Sequence, residues 1–422
     1  MIGTIISILI AGFWWFLDPE LTEYSLNWIS GTIALFSLTL FSLENILSAL
    51  FWAPLQKMEL KLTPHVLSSL TSDWKVKAGK IYFRIFLLLS LALSVVLFVN
   101  LPVPIPLFIA LWIVFFGISL DVFYKGVSNR FYYLNPYNVV DHYKENAGRA
   151  IRNDREDRFL LWNDALAETA LKAIDRHSPS LSREALNRMH LVARDYFLSL
   201  KSIAHTEIDE ESSSAANYTL LYLMQRFDMV NKQAIKESLE EVSSDLVGSL
   251  GRVTLDAAHY DMTMASLPIH FLGKCSLAVQ KAGFEDATQR AIFTFVQVSR
   301  MLIEEVDIKY LDLKEPFLSI IGHMHELASA SFRKNREINI SFLIQPFEEL
   351  REVFDQDKVK DHPDRNLILS SIDNVIGEFK ALESMMTTMP NFSENKEEEE
   401  LQESEETAAQ DERGGESDDE EQ

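Results

Sequence analysis

Hydrophobic positions follow two regimes along this chain. Up to Val122 they form four long runs, Ile2–Leu17, Trp28–Ala53, Ile81–Val99 and Pro104–Val122. From Val139 onward they recur at threes and fours between polar residues, the period of an amphipathic helix. A hydrocarbon core about 30 Å thick is crossed by roughly 20 helical residues, or about 17 where the bilayer thins. The runs therefore predict a four-helix transmembrane bundle over residues 1–124. The periodic region predicts an all-helical soluble domain over 125–392, with a subdomain break near 207–214. The class is all-α, because no stretch alternates strictly with period two.

The first run lacks a basic stretch ahead of it, and Asp18-Pro19-Glu20 offers no small-residue cleavage site. It reads as a short uncleaved span with Trp14 and Trp15 at the interface. Loop charges give an orientation. Asp18, Glu20 and Glu23 follow the first run with no Lys or Arg, whereas Lys57, Lys61, Lys75, Lys77 and Lys80 separate the second from the third. The third connection, Asn100 to Pro104, is an uncharged tight turn, and Lys125, Arg130, Lys144, Arg149 and Arg152 follow the fourth run. With all four runs spanning, both basic regions fall on one side. The positive-inside rule makes that side cytoplasmic, together with the N-terminus and the helical domain. A plasma or inner membrane is the expected location.

Glu44 breaks the second run. Trp28 and Trp52 bracket that run about 36 Å apart, which puts Glu44 roughly 12 Å inside the cytoplasmic belt. Ser30, Ser37 and Glu44 recur at sevens and share a helical face. An intramembrane carboxylate on a bundle face is a candidate proton or cation site. Alternatively the span ends near Leu43 and Glu44 lies at headgroup level, or Glu44 pairs with Arg84, which enters the third run from the same side. Glu44, Ser37 and Arg84 are the candidate polar site.

In the periodic region, Phe159, Leu160, Trp162, Leu166, Ala170, Ala173 and Ile174 form one stripe that ends before His177-Ser178-Pro179. Ser182 can cap the next helix, which runs to about Ala204, and Glu207–Ser214 reads as an acidic, serine-rich loop. Further helices are predicted over Ala215–Gln233, Ala234–Ala258, Met264–Ala282, Phe284–Val306, Pro316–Arg333, Phe342–Phe354 and Pro363–Met386. Leu250-Gly251, Leu272-Gly273 and Ile321-Gly322 resemble one another without a fixed period, so a globular bundle is favoured over a helical solenoid.

Charge sharpens the ending. Glu394–Gln422 carries 15 acidic residues against two basic ones, so the tail holds −13 of the net −23 and the rest of the chain −10. With Leu401 as its one large apolar residue, the segment from Ser393 is expected to be a disordered acidic tail. Its charge argues against nucleic acid as a partner. The single cysteine, Cys275, cannot form an intrachain disulfide and reads as a small core residue in a reducing compartment.

Catalytic patterns are missing. There is no GxxxxGK[ST] loop or GxGxxG turn, and Gly248-Ser249-Leu250-Gly251 is not a nucleophile elbow. His325-Glu326 lacks a second histidine at Ser329, and His323 and His325 lie on different helix faces. His259 with Asp256 and Asp261 reads as a surface cluster. Asp355, Asp357 and Asp361 lack the glycine and glutamate of a calcium loop. No enzyme, metal or cofactor is expected.

The segments LFSLTLFSL (Leu35–Leu43), LTPHVLSSL (Leu62–Leu70) and NDALAETALKAI (Asn163–Ile174) resemble, in that order, an uncharacterised bacterial family of four-span membrane proteins with a cytosolic helical domain. The resemblance covers at most the first 190 residues; Ser180-Leu181-Ser182-Arg183 departs from the family's turn after Ser178-Pro179. It implies the architecture and no activity. The expected function is a membrane-anchored scaffold whose helical domain binds a cytoplasmic protein and whose bundle is a candidate for self-association. The alternative is a transport or channel-type component using Glu44.

Overall fold

The computed structural model describes residues 2–17, 23–99, 104–203, 210–309, 311–336 and 338–388. Among these residues every regular element is an α-helix. The apolar runs give α1 (Ile2–Leu17), α2 (Glu23–Lys61), α4 (Trp74–Phe98) and α5 (Ile105–Leu134), with a short α3 (Val66–Ser72) before α4. Three of them, over Ser25–Lys61, Trp74–Phe98 and Ile105–Leu134, are long and apolar enough to cross a membrane; α1 is a shorter apolar helix.

These helices are packed inside out relative to a water-soluble bundle. Ser37 is fully buried, yet Leu35 on the same helix is 66% exposed. Ser7, Ser30, Ser90, Ser94 and Ser119 are buried likewise, while Leu9, Phe36, Leu88 and Phe98 face outward. Burying hydroxyls and exposing large apolar side chains is unfavourable in water. It is the expected arrangement where lipid is the solvent and small polar residues let helices approach.

The helical region opens at Asn135, whose side chain accepts from Tyr137 N at 3.1 Å, followed by Pro136 at the first helical position. It comprises α6 (Pro136–Arg152), α7 (Glu156–Ile174), α8 (Pro179–Ile203), α9 (Glu210–Lys236), α10 (Glu240–Tyr260), α11 (Met262–Ala282), α12 (Glu285–Glu305), α13 (Lys314–Lys334), α14 (Ile340–Val353) and α15 (Arg365–Thr388). The chain forms two compact units, Met1–Ala291 and Ile292–Gln422.

In the first unit α1 lies antiparallel along α5, α2 pairs with α4, and α6, α7 and α8 pack on one another. The second unit gathers α13, α14 and α15 around Phe317, Phe347, Phe354 and Phe379. There the Lys358 ammonium donates to the carbonyls of Ile303 (3.0 Å), Glu304 (2.6 Å) and Val306 (3.4 Å), closing the C-terminal end of α12.

The division between the compact units falls within α12. α5 continues unbroken from its apolar run through residue 124 to Leu134. The predicted loop Glu207–Ser214 is helical from Glu210 onward. The residues of the tight turn before Pro104 and of the acidic tail lie outside the described ones.

Candidate functional site

The candidate residues lie where α2, α4 and α5 meet. α2 and α5 run parallel, since Phe36 meets Phe116 edge-on at 5.8 Å and Phe51 meets Phe131 at 4.9 Å. α4 runs antiparallel to α2: Ser30 Oγ donates to Ser94 O at 2.8 Å, Ser94 Oγ returns a bond to Ser30 O at 2.8 Å, and farther along the pair Leu40 packs with Phe83 and Phe86. The same interior holds a bond from Trp112 Nε1 to Ser90 Oγ at 2.9 Å. These bonds fill the hydrogen-bonding capacity of hydroxyls that would otherwise be stranded in an apolar interior. Ser37 is different: its Oγ is buried and has no hydrogen-bond partner.

One turn beyond Leu40, Glu44 is 7% exposed and forms an ion pair with Arg130 of α5. The guanidinium grips both carboxylate oxygens, with Nη1 to Oε2 at 3.2 Å and Nη2 to Oε1. Nη2 also donates to Ser48 Oγ at 2.9 Å, and that hydroxyl donates to Glu44 Oε1 at 3.3 Å. A two-pronged, nearly dry pair of this kind holds both charges in place.

The alternative pairing with Arg84 does not form, since Glu44 holds Arg130. Arg84 is exposed, because Phe83 and Phe86 take the inward face of α4. Glu44 is instead reached by the long Arg130 side chain from the polar extension of α5. Glu44 and Ser37 thus share the interior of the bundle, and Arg84 lies outside it.

A second polar lock ties α2 to the helical region. Lys172 Nζ donates to Glu59 O at 3.1 Å and Arg176 Nε to Lys61 O at 3.0 Å, so two cations from α7 and its end cap the last carbonyls of α2. Together with Leu60, Asp175 and His177 they line an open recess. The Tyr143 hydroxyl donates to Pro64 O, and its ring stacks on Trp162 with centroids 5.6 Å apart. Burial holds the Tyr143 hydroxyl well above the usual phenol range. Nearby, His142 Nε2 takes a bond from Asn146 at 2.8 Å; burial, aided by Arg149, pushes its pKa down. His142 is therefore a neutral acceptor held in this junction.

Sequence-predicted clusters elsewhere come apart. His323 stacks on Phe295 and His325 contacts Glu378 at 3.3 Å, so the two do not converge. Asp256 takes His190 as its partner at 2.9 Å, leaving His259 bonded to Leu255 O at 2.8 Å. Asp355 pairs with Arg365 at 3.0 Å. No group of three metal-ligating side chains occurs among the described residues. Cys275 is fully buried, which raises its thiol pKa far beyond the reactive range.

Comparison with protein-family models and with curated proteins returns no match. Among solved structures, the chain is similar to one described as a "Circular tandem repeat protein with novel repeat topology and enhanced subunit contact surfaces". Identity is 15%, over 86% of this chain and 97% of that one, with a TM-score of 0.19.

Proposed function

We propose that the chain is a four-span integral membrane protein that works as a scaffold, presenting its cytoplasmic helical region to a protein partner without catalysing a reaction. The observation that carries this reading is the continuity of the first compact unit. α2 and α5 pass unbroken from apolar to polar sequence, and α7 and α6 then clamp the end of α2 through Lys172, Arg176 and Tyr143. A mere tether would need no such clamp.

The fourth span rests on matched lengths. α1 has 16 residues, about 24 Å, and lies antiparallel along α5 with Gly3 against Asp121. The stretch of α5 from Ile105 to Asp121 has nearly the same rise, so α1 covers the depth that α5 covers. The resemblance to four-span proteins with a cytosolic helical domain fits this arrangement.

Transport remains the second reading, favoured by one observation: the unpartnered Ser37 hydroxyl lies on the α2 face that carries Glu44. Proteoliposomes separate the two. The scaffold reading expects Glu44→Gln and wild type to show the same ion and proton flux as empty vesicles. It also expects photo-crosslinkers at exposed Tyr218 or Phe342 of the full chain, in cells, to give a discrete adduct. Flux that disappears with Glu44→Gln would overturn it in favour of transport, and the absence of any adduct would remove the partner.

A further inference from the structure

The structure leaves a run of cations on α4 unused. Lys75, Lys77, Lys80 and Arg84 are exposed, and among the described residues none of them has an ion-pair partner. Between Glu44 and Leu134 the sequence has eight Lys or Arg residues against four carboxylates. All four carboxylates are engaged elsewhere. Glu44 holds Arg130, and Asp121 accepts from Gly3 N at 3.1 Å and Thr4 N at 3.0 Å. Asp73 accepts from Lys75 N at 3.0 Å and Asn129 at 3.3 Å, and Glu59 from Leu67 N at 3.3 Å.

Position matters as much as charge. Trp74, Lys77, Ile81, Arg84 and Leu88 recur at threes and fours and form one outward stripe, with Lys80 beside it. Trp74 is 71% and Leu88 67% exposed, so the stripe passes from an indole through cations into bare apolar surface. Lys77 and Arg84 are two turns apart, about 10 Å along the axis. Arg84 lies level with Leu40, a turn deeper than the Glu44 pair, because Leu40 packs with Phe83 and Phe86. A guanidinium at that depth, pointing away from the bundle, is left with its long stem on hydrocarbon and its head directed back towards phosphate.

We infer that the α4 stripe Lys77–Lys80–Arg84 is a binding site for the headgroup phosphate of an anionic glycerophospholipid, with Arg84 as the deep ligand, Lys77 and Lys80 as the outer ones, and Trp74 at the interface. The site rests on the membrane-spanning reading above. It uses no group of the Glu44–Arg130 pair, and it gives Arg84 a role that its place outside the bundle explains.

The test uses the full chain in nanodiscs that mix phosphatidylcholine with phosphatidylglycerol, with the retained lipids counted by native mass spectrometry. A cation near an anionic surface contributes about fivefold in affinity, so the three together give a preference on the order of 100-fold. Wild type is expected to retain phosphatidylglycerol preferentially. Lys77→Gln/Lys80→Gln/Arg84→Gln should lose that preference, and Lys57→Gln/Lys61→Gln/Lys125→Gln, an equal change in net charge, should keep it. Equal loss in both triple variants would show diffuse attraction and overturn the site, as would retention in the first. Extraction of wild type from vesicles by alkaline carbonate is a different failure, that of the membrane reading itself.

Discussion

Gly117→Ala should loosen α1 from α5. A Cβ at Gly117 would lie 1.7 Å from Ser7 Oγ, 2.4 Å from Ser7 Cβ and 2.6 Å from Gly3 O. Carbon atoms pack at about 3.5–4.0 Å, so turning the Ser7 hydroxyl away is not enough. The Ser7 Cβ and the Gly3 carbonyl belong to the helix itself, and α1 must retreat by about 1 Å or more. Retreat also pulls Gly3 N and Thr4 N from the Asp121 carboxylate, which caps the first turn of α1. Overpacking costs about 1–3 kcal/mol, and loss of a charged cap adds about 1 kcal/mol. Gly31→Ala is the matched control, since nothing lies within 4 Å of its added Cβ. Thermal unfolding of the full chain in detergent, with hydrogen exchange at the Gly3 and Thr4 amides, reads both effects. Gly117→Ala should lower the midpoint by several degrees and speed exchange at those amides, while Gly31→Ala leaves both unchanged. Identical behaviour of the two variants would refute the close approach and the place of α1 in the bundle.

Two further substitutions follow from the polar contacts. Replacing one partner of a buried pair strands the other charge, so Glu44→Leu or Arg130→Leu should each cost about 3–5 kcal/mol, and the double variant less than the sum; strictly additive midpoints in the same assay would show that the two are not coupled. His142 has its pKa depressed by burial, so the unfolded chain takes up its proton first as pH falls. The contribution of His142 to stability is complete above the unfolded value near 6.5 and declines below it. His142→Gln should flatten the decline in unfolding midpoint between about pH 6.5 and 5, and an unchanged slope would mean that His142 does not titrate on unfolding.

Much of this architecture is written in local pattern. Long apolar runs mark α1, α2, α4 and α5, whereas α11 starts at Met262, ahead of the expected Met264, because the Asp261 side chain caps Thr263 N at 2.9 Å. The start of α8 is read less well: the helix begins at Pro179, so Ser182, expected as its cap, lies inside the first turn, buried and with no hydrogen-bond partner for its hydroxyl. The spacing of Ser30, Ser37 and Glu44 at sevens puts all three inside the bundle, and all three are buried. The partner of Glu44 was not readable in the same way. Arg130 lies 86 positions away, on a helix whose polar extension has no apolar period to announce it. One signal was available: Asn135-Pro136 is a capped helix start, which leaves no reason for α5 to end before Leu134. The clamp on α2 was beyond local reading, because bonds from Tyr143 to Pro64 and from Arg176 to Lys61 join backbone carbonyls that carry no sequence signature.

In the proposed topology the basic ends of α2, α4 and α5 and the helical region share the cytoplasmic side of a membrane. Single cysteines at Tyr24 and Ser72, treated in intact cells with a membrane-impermeant maleimide, test it directly. Cys275 is fully buried and stays silent in folded protein. Labelling is expected at position 24 from outside and at position 72 only after permeabilisation. Labelling at position 72 in intact cells would put the lysines, the clamp and the helical region on the outer face and contradict it.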